Sequence, residues 1–184
     1  LSVSKDNKFP FLMKFDEPLN DFATAEKMFN ALNSSKKYIV SDVVSSEEKK
    51  FPQPPLVTSS LQRIMSKQYG ISSDRTMKAA QSLYESGYCS YIRTDSVRSS
   101  DEALSSLRDF LSKTYTLPKK PNIFKNKESA QDAHECIRPT DLDLEPGSLS
   151  LSPDEKAVYD TIYRFYLASQ MLPAVYSTLK VTAH

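Results

Sequence analysis

The sequence predicts an α+β fold, in which a mostly helical domain with a winged-helix-like unit is inserted in a partly present β domain. Apolar residues recur at helical spacing in the middle of the chain, whereas strand-like runs lie near its two ends. A change of composition at residues 47–55, where EEKK is followed by the proline-rich FPQPP, indicates a domain boundary. We therefore divide the chain into residues 1–50, 51–173 and 174–184.

The two end segments are predicted to form the β-containing domain. Residues 9–15 and 38–44 are apolar or β-branched and read as short strands, and residues 21–32 between them have the spacing of a helix. Apolar and polar side chains alternate over residues 179–183, which is typical of a half-exposed strand. This last strand can rejoin the strands near the start of the chain.

Two short helices are predicted at the start of the central segment. Thr58 and Ser59 are suited to cap a helix that ends at Gly70, and a second helix is expected from about residue 73 to near residue 87. Residues 88–92 are strand-like. Two helices joined by a tight glycine turn and followed by a strand resemble a winged helix-turn-helix, which contacts DNA in some proteins and only protein in others.

Two further helices are predicted after this unit. Ser99 and Glu102 have the spacing of a capping box for the third helix. The proline- and lysine-containing residues 114–128 have no periodicity and are expected to form a loop. Residues 152–155 begin with Ser-Pro and have Glu at the third helical position, so they start the clearest helix of the chain, which Pro173 closes.

Composition limits the possible partners. The net charge is +1, so a nucleic-acid site requires a local basic patch rather than a basic protein as a whole. No apolar run of about 18 residues predicts a membrane span, and no secretory signal is visible. Cys89 and Cys136 are too few for a zinc site and fit reduced thiols better than a disulfide. The chain begins at Leu1 and stops just after a strand-like run, which we interpret as a piece of a longer protein.

The first candidate site is residues 90–96, SYIRTDS. On an extended segment, Tyr91 and Arg93 point to the same side because they are two residues apart. A phenolate can attack a phosphodiester, and a guanidinium can neutralise the phosphate with two hydrogen bonds. Free tyrosine has a pKa of about 10, so such a nucleophile needs nearby positive charge. The alternative is a buried tyrosine beside a surface arginine.

Two other segments carry candidate groups. In residues 130–140, His134 lies beside a carboxylate and near Arg138, where it can contact a phosphate or relay a proton; a structural histidine in a polar turn is the alternative. In residues 54–62, the hydroxyls of Thr58 and Ser59 at a helix start can bind phosphate together with free backbone N–H groups, although capping explains them equally well.

Taken together and in this order, the three segments resemble type IA DNA topoisomerases. The run YIRTDS at residues 91–96 is similar to the active-site signature of that family, and residues 167–176, LASQMLPAVY, are similar to its segment that returns the chain to the gate. The resemblance covers residues 52–183 well and residues 1–50 loosely. Ile92 after the tyrosine is more like bacterial topoisomerase I than topoisomerase III, which tends to have proline there.

The resemblance implies roles for individual residues. Tyr91 is expected to attack a single-stranded DNA phosphate and keep a 5′-phosphotyrosyl link, without ATP, in order to relax negatively supercoiled DNA. Arg93 is expected to position the scissile phosphate, and His134 to contact the same region. Weaker candidates for DNA contact or for shaping the site are Thr58, Ser59, Gln62, Asp95, Ser96 and Arg138.

The resemblance also implies what the chain lacks. In the family, Mg²⁺ is bound by a Toprim domain, and nothing here matches its acidic motif; residues 141–143, DLD, lie in a proline-flanked segment and are discounted. We therefore expect no metal bound by this chain and no relaxation by it alone. The longer protein is expected to be monomeric, cytoplasmic and nucleoid-associated. Three alternatives stay open: a non-catalytic winged-helix DNA-binding module, a protein-interaction scaffold, and the related core of a reverse gyrase.

Overall fold

The computed structural model describes residues 2–3, 11–12, 18–34, 39–126 and 134–183. The helices are α1 Phe22–Ser34, α2 Thr58–Tyr69, α3 Ser73–Glu85, α4 Asp101–Ser112 and α5 Pro153–Ser169. The strands are β1 Ser2–Val3, β2 Phe11–Leu12, β3 Val40–Lys50 and β4 Ala174–Ala183. The predicted mixture of helices and strands is confirmed.

The strands form two small sheets. β1 and β2 are antiparallel, with Ser2 opposite Leu12 and Val3 opposite Phe11; the remainder of the strand predicted at residues 9–15 lies outside the described residues. β3 pairs with β4, so the last strand does rejoin an early one. The Ser46 and Thr178 hydroxyls lie 2.8 Å apart across this pair. β3 also runs through residues 47–50, where the change of composition had indicated a domain boundary.

Residue contacts divide the chain into two compact units, one of residues 1–46 with 178–184 and the other of residues 47–177. In the first unit, α1 buries none of its side chains within the described residues. The limits of the units fall inside β3 and β4. The division at residues 50 and 173, with domain roles attached, stays a prediction.

The core of the second unit is made by α2, α3 and α5. α3 presents Ala79, Ala80 and Leu83 to it, and α5 presents Val158 and Ile162, all of them buried. At an apolar transfer free energy of about 25 cal/mol per Å², burying such side chains is the main stabilising contribution. A smaller cluster joins α4 to α5 through Leu107, Leu111 and Tyr166.

Caps set where these helices begin. The capping box of α5 is confirmed: Ser152 is the N-cap, its side chain accepts from Glu155 N, and Pro153 is the first helical residue. The predicted cap of α4 was wrong by one residue, because Ser100 rather than Ser99 accepts from Ala103 N. α2 ends at Gly70, whose φ of 65° is favourable for glycine.

α3 and α5 are also joined by polar contacts at their N-terminal and middle turns. Arg75 binds both carboxylate oxygens of Asp154, at 2.9 and 2.7 Å, and the Ser82 hydroxyl donates to Glu155 at 2.6 Å. Asp154 and Glu155 occupy the first turn of α5, where negative charge is favourable. These contacts fix the orientation of α3, the helix that precedes the candidate tyrosine.

Candidate active site

Residues 91–96 form an irregular segment, with a bend at residues 92–93, whose side chains alternate in exposure. Tyr91, Arg93 and Asp95 are exposed, whereas the residues between them are buried. Tyr91 is 44% exposed, and Ile92 is fully buried. Tyr91 and Arg93 are thus both exposed, so the alternative of a buried tyrosine is wrong, whereas a shared side for the two side chains stays a prediction.

The strand predicted at residues 88–92 was wrong. Only an isolated antiparallel bridge between Cys89 and Pro139 occurs there. The reason is that the backbone pairs with residues 138–140 over only a short length: the Tyr88 carbonyl accepts from Thr140 N at 3.1 Å, and Pro139 has no N–H to donate. Ser90 N donates to the Arg138 carbonyl at 2.8 Å, and Thr94 N donates to the Thr58 hydroxyl at 3.0 Å.

Thr58 holds the backbone on both sides of Arg93. Its hydroxyl donates to the Ile92 carbonyl at 2.7 Å and accepts from Thr94 N, and its backbone N–H donates to the Thr94 carbonyl at 3.0 Å. Thr58 is the first helical residue of α2, so its predicted capping role was wrong.

The N-cap of α2 is instead Val57, which has no side-chain acceptor. The Ser60 hydroxyl accepts from Val57 N at 2.9 Å and so satisfies one donor at this helix start. Ser59, the other predicted cap, is exposed beside it. The start of α2 is therefore held by Ser60 and by the tertiary contacts of Thr58.

Ser90 attaches the histidine segment to the tyrosine segment. Its hydroxyl donates to the Cys136 carbonyl at 2.9 Å and accepts from Arg138 N at the same distance. This brings the exposed His134 next to Tyr91, with their ring centroids 6.0 Å apart. Two segments that are more than 40 residues apart in sequence thus meet through one serine.

A second ring contacts Tyr91 from α3. The ring centroids of Tyr84 and Tyr91 are 5.6 Å apart and their planes are inclined by 69°, which is an edge-to-face arrangement. Such pairs contribute about 0.5–1.5 kcal/mol beyond their buried area. Tyr84 is exposed at the end of α3, where the chain turns towards Tyr91.

Tyr91 differs from the tyrosines of α5. Burial raises the pKa of Tyr159 and of Tyr166 to about 12. Their hydroxyls donate to the carbonyls of Leu144 and Ala103. They serve as neutral core residues, whereas the Tyr91 hydroxyl forms no hydrogen bond with the described residues and can be approached from solvent.

Charged candidates divide into free and paired groups. Arg93 forms no hydrogen bond or ion pair with the described residues and is exposed, so it can bind an anion. Arg138 donates to Glu135 at 2.7 Å and is half-buried. Burial acts to raise the pKa of Glu135, but hydrogen bonds from Ser100 and Arg138 lower it below its usual value.

The remaining candidates are dispersed. The Ser96 side chain is fully buried and accepts from Asn126 Nδ2 at 3.2 Å, so it shapes the segment from inside. Asp95 is exposed, and Gln62 is half-buried on α2. Neither forms a hydrogen bond with the described part of the chain.

Two functional candidates were missed in the sequence. Ser90 was read only as part of the tyrosine motif, although serine is small enough to bond two backbone groups of a neighbouring segment. Tyr84 is not among the candidates predicted from the sequence. The signal that could have found it is Gly87, whose φ of 77° reverses the chain between the two tyrosines.

The described residues include no group of three or more His, Cys, Asp or Glu side chains that could hold a metal ion. None of the helices within the described ranges is long and apolar enough to cross a membrane. Chemically, the site combines an exposed phenol, an exposed guanidinium and an imidazole. These groups suit nucleophilic attack on a phosphodiester.

Known proteins match this chain over most of its length. A family model described as DNA topoisomerase matches residues 4–184. Proteins named DNA topoisomerase 1 are 42% identical over 92% of the chain in Haemophilus influenzae and 39% identical over 90% of it in Pseudomonas aeruginosa. The protein of that name in Escherichia coli is 34% identical over 99% of the chain.

A solved structure is also similar. Full-length topoisomerase I from Thermotoga maritima matches with a TM-score of 0.71 and 29% identity, over 92% of this chain and 29% of that one. The chain spans about a fifth of the length of the curated relatives, between 19% and 21% for the three above.

Proposed function

The chain belongs to the type IA DNA topoisomerase family and is similar to bacterial topoisomerase I, and we propose that it is the part of such an enzyme that carries the nucleophile. In this proposal Tyr91 attacks a phosphodiester of one DNA strand. The observation that carries it is the exposed Tyr91 beside His134, two residues before the exposed Arg93, which forms no hydrogen bond or ion pair with the described residues.

The proposed reaction is a reversible transesterification at a DNA phosphodiester. The Tyr91 phenol loses its proton and its oxygen bonds to phosphorus, while the bond to the 3′ oxygen breaks and that oxygen takes a proton. The 5′-phosphotyrosyl link keeps the bond energy, so rejoining needs no ATP. Arg93 positions the phosphate and stabilises the charge that develops on it. His134 contacts the same phosphate region.

The other candidates take lesser roles. Ser59, Gln62 and Asp95 are proposed to contact DNA, because they are not held by hydrogen bonds to the described residues. Thr58 and Ser96 are proposed to shape the site, since their hydroxyls bond the backbone or buried groups. Arg138 is proposed to orient the histidine segment through Glu135, and direct DNA contact is secondary for it.

The domain roles follow the family. We propose that residues 51–173 are a helical domain with α2 and α3 in a winged-helix-like unit, inserted in a gate or hinge domain of residues 1–50 and 174–184. The pairing of β3 with β4 supports the insertion. Residues 1–50 and 174–184 would then belong to a gate that lets a second strand pass.

The longer protein is proposed to use Mg²⁺ bound by a Toprim domain outside this chain, where the metal would stabilise phosphate charge. The carboxylates described here do not form a group that fits such a site. The proposed partner is single-stranded or negatively supercoiled DNA in the bacterial cytoplasm, with the enzyme acting as a monomer. The net charge of +1 makes a local contact region more suitable than a general basic surface.

The test is relaxation of negatively supercoiled plasmid by this chain combined with the Toprim domain of the same protein. We expect relaxation by wild type, none by Tyr91→Phe and none by the chain alone. Tyr69→Phe is a matched control, since Tyr69 is 46% exposed and has no recorded ring partner among the described residues. Equal activity of wild type and Tyr91→Phe would refute the proposal and favour a non-catalytic DNA-binding module. Absence of DNA affinity at low salt would favour a protein-interaction scaffold.

A further inference from the structure

Tyr84 is an exposed aromatic residue at the end of α3 whose ring meets that of Tyr91 edge to face. It is 39% exposed and is absent from the core cluster that α3 forms with α2 and α5. Its surroundings therefore give no packing reason for its position. The contact with Tyr91 is its one recorded ring contact with the described residues.

The backbone of Tyr84 is held firmly by its neighbours. Leu83, the preceding residue, is 1% exposed in the core. The Tyr84 carbonyl accepts from Gly87 N at 2.9 Å, and Tyr88 N donates to the Leu83 carbonyl at the same distance. The backbone from which the Tyr84 ring extends is thus fixed by a packed helix and its turn.

Tyr91 needs such support, because its segment is irregular and its side chain is exposed. A free side chain of this kind exchanges between rotamers. Here one neighbour, Tyr84, comes from α3, and the other, His134, comes from the segment tied by Ser90. Contacts from two directions restrict the ring, and restricting a nucleophile raises the fraction of molecules in a reactive geometry.

We propose that Tyr84 is a positioning residue for DNA cleavage: its ring holds the Tyr91 ring in the orientation from which the phenolic oxygen reaches the phosphate. This inference rests on the proposed function of Tyr91. Tyr84 acts through Tyr91 and does not touch the reacting atoms. The ring carries the effect, so the hydroxyl of Tyr84 is dispensable.

The first measurement is the single-turnover cleavage rate of the full-length protein on a saturating single-stranded oligonucleotide. Tyr84→Ala is expected to reduce the rate about tenfold, equivalent to about 1.4 kcal/mol. Tyr84→Leu, which keeps apolar bulk without the ring, is expected to be similarly slow and serves if the alanine variant does not fold. Tyr84→Phe is expected to stay within about twofold of wild type.

The second measurement separates positioning from DNA binding. Affinity for the same oligonucleotide is compared between Tyr91→Phe alone and Tyr91→Phe combined with Tyr84→Ala, and is expected to be equal within about twofold. Tyr69→Ala is the control for loss of an exposed tyrosine, and its cleavage rate is expected to match wild type. The thermal midpoint of each variant is recorded to exclude loss of folding.

Each contrary result overturns the inference. An affinity that falls in parallel with the rate would make Tyr84 a DNA-stacking residue. A phenylalanine variant as slow as the alanine variant would make the hydroxyl the active group. Unchanged cleavage by Tyr84→Ala, while Tyr91→Phe is inactive, would refute the role of Tyr84 alone, whereas cleavage that survives Tyr91→Phe would refute the proposed function itself.

Discussion

The hydroxyl of Thr58, in the first turn of α2, donates to the carbonyl of Ile92 at 2.7 Å. Because the same oxygen accepts from Thr94 N at 3.0 Å, the helix start determines the path of the chain across Arg93. A core helix thereby fixes the backbone that presents the candidate reactive side chains.

Thr58→Val is expected to destabilise the chain, because the Ile92 carbonyl and the Thr94 amide lose their partner at a half-buried position. Leaving such groups unsatisfied costs about 1–3 kcal/mol. The midpoint of urea unfolding, followed by helical circular dichroism, measures this. Thr58→Ser keeps the hydroxyl and is expected to lose less; equal losses in the two variants would argue against the hydrogen bonds.

Ser90→Ala is expected to loosen the histidine segment, since two hydrogen bonds to the backbone of Cys136 and Arg138 disappear. Cleavage by the full-length protein should slow several-fold while Tyr91 itself is unchanged. Ser105→Ala is the matched control, because Ser105 is exposed on α4 and has no recorded partner among the described residues. Identical cleavage rates for both variants would count against this contact.

The Glu135 carboxylate is expected to make the stability of the chain decrease at acidic pH. Burial acts to raise its pKa, but the bonds from Ser100 and Arg138 prevail and lower it. Because the Glu135 pKa is lower in the folded than in the unfolded state, ionised Glu135 stabilises the fold at any pH above its unfolded-state pKa. This stabilisation is lost as the pH falls through the folded-state pKa. The unfolding midpoint of Glu135→Gln should therefore fall less than that of wild type when the pH is lowered below 4.5. Parallel curves for the two proteins would contradict this.

The two cysteines should be unreactive in the folded chain. Both are buried and free, and burial raises the pKa of Cys89 to about 12 and that of Cys136 to about 11. The reactive thiolate is therefore scarce near pH 8. A thiol reagent should modify them only after unfolding in urea; rapid modification of native protein would show that these residues become accessible.

Local rules in the sequence predicted the elements that depend on neighbours in the chain. The capping box at Ser152 and Glu155 was predicted correctly because both of its bonds lie within four residues. The alternating exposure of residues 91–96 is also a local pattern, but the sequence left open whether Tyr91 is exposed or buried.

Contacts between distant segments could not be predicted from the sequence. Thr58 is a residue type that commonly caps helices, but its hydroxyl hydrogen-bonds to the backbone of Ile92 and Thr94, more than 30 residues away. Ser99 and Ser100 are equally suitable caps, and the choice is made because the Ser99 hydroxyl lies 3.4 Å from the buried Cys136 sulfur. Similarly, Gly87 indicates that the chain turns after Tyr84, but the sequence does not show that the Tyr84 ring contacts that of Tyr91.

The alternation along residues 91–96 has a practical consequence. The side chains that meet solvent are the reactive candidates, and those that hold the segment in place point inward. Substitution of Tyr91 is therefore expected to leave the fold intact, and a variant that cannot cleave DNA should still bind it. Such a variant is expected to compete with the wild-type protein for DNA in a cell and so to have a dominant-negative phenotype.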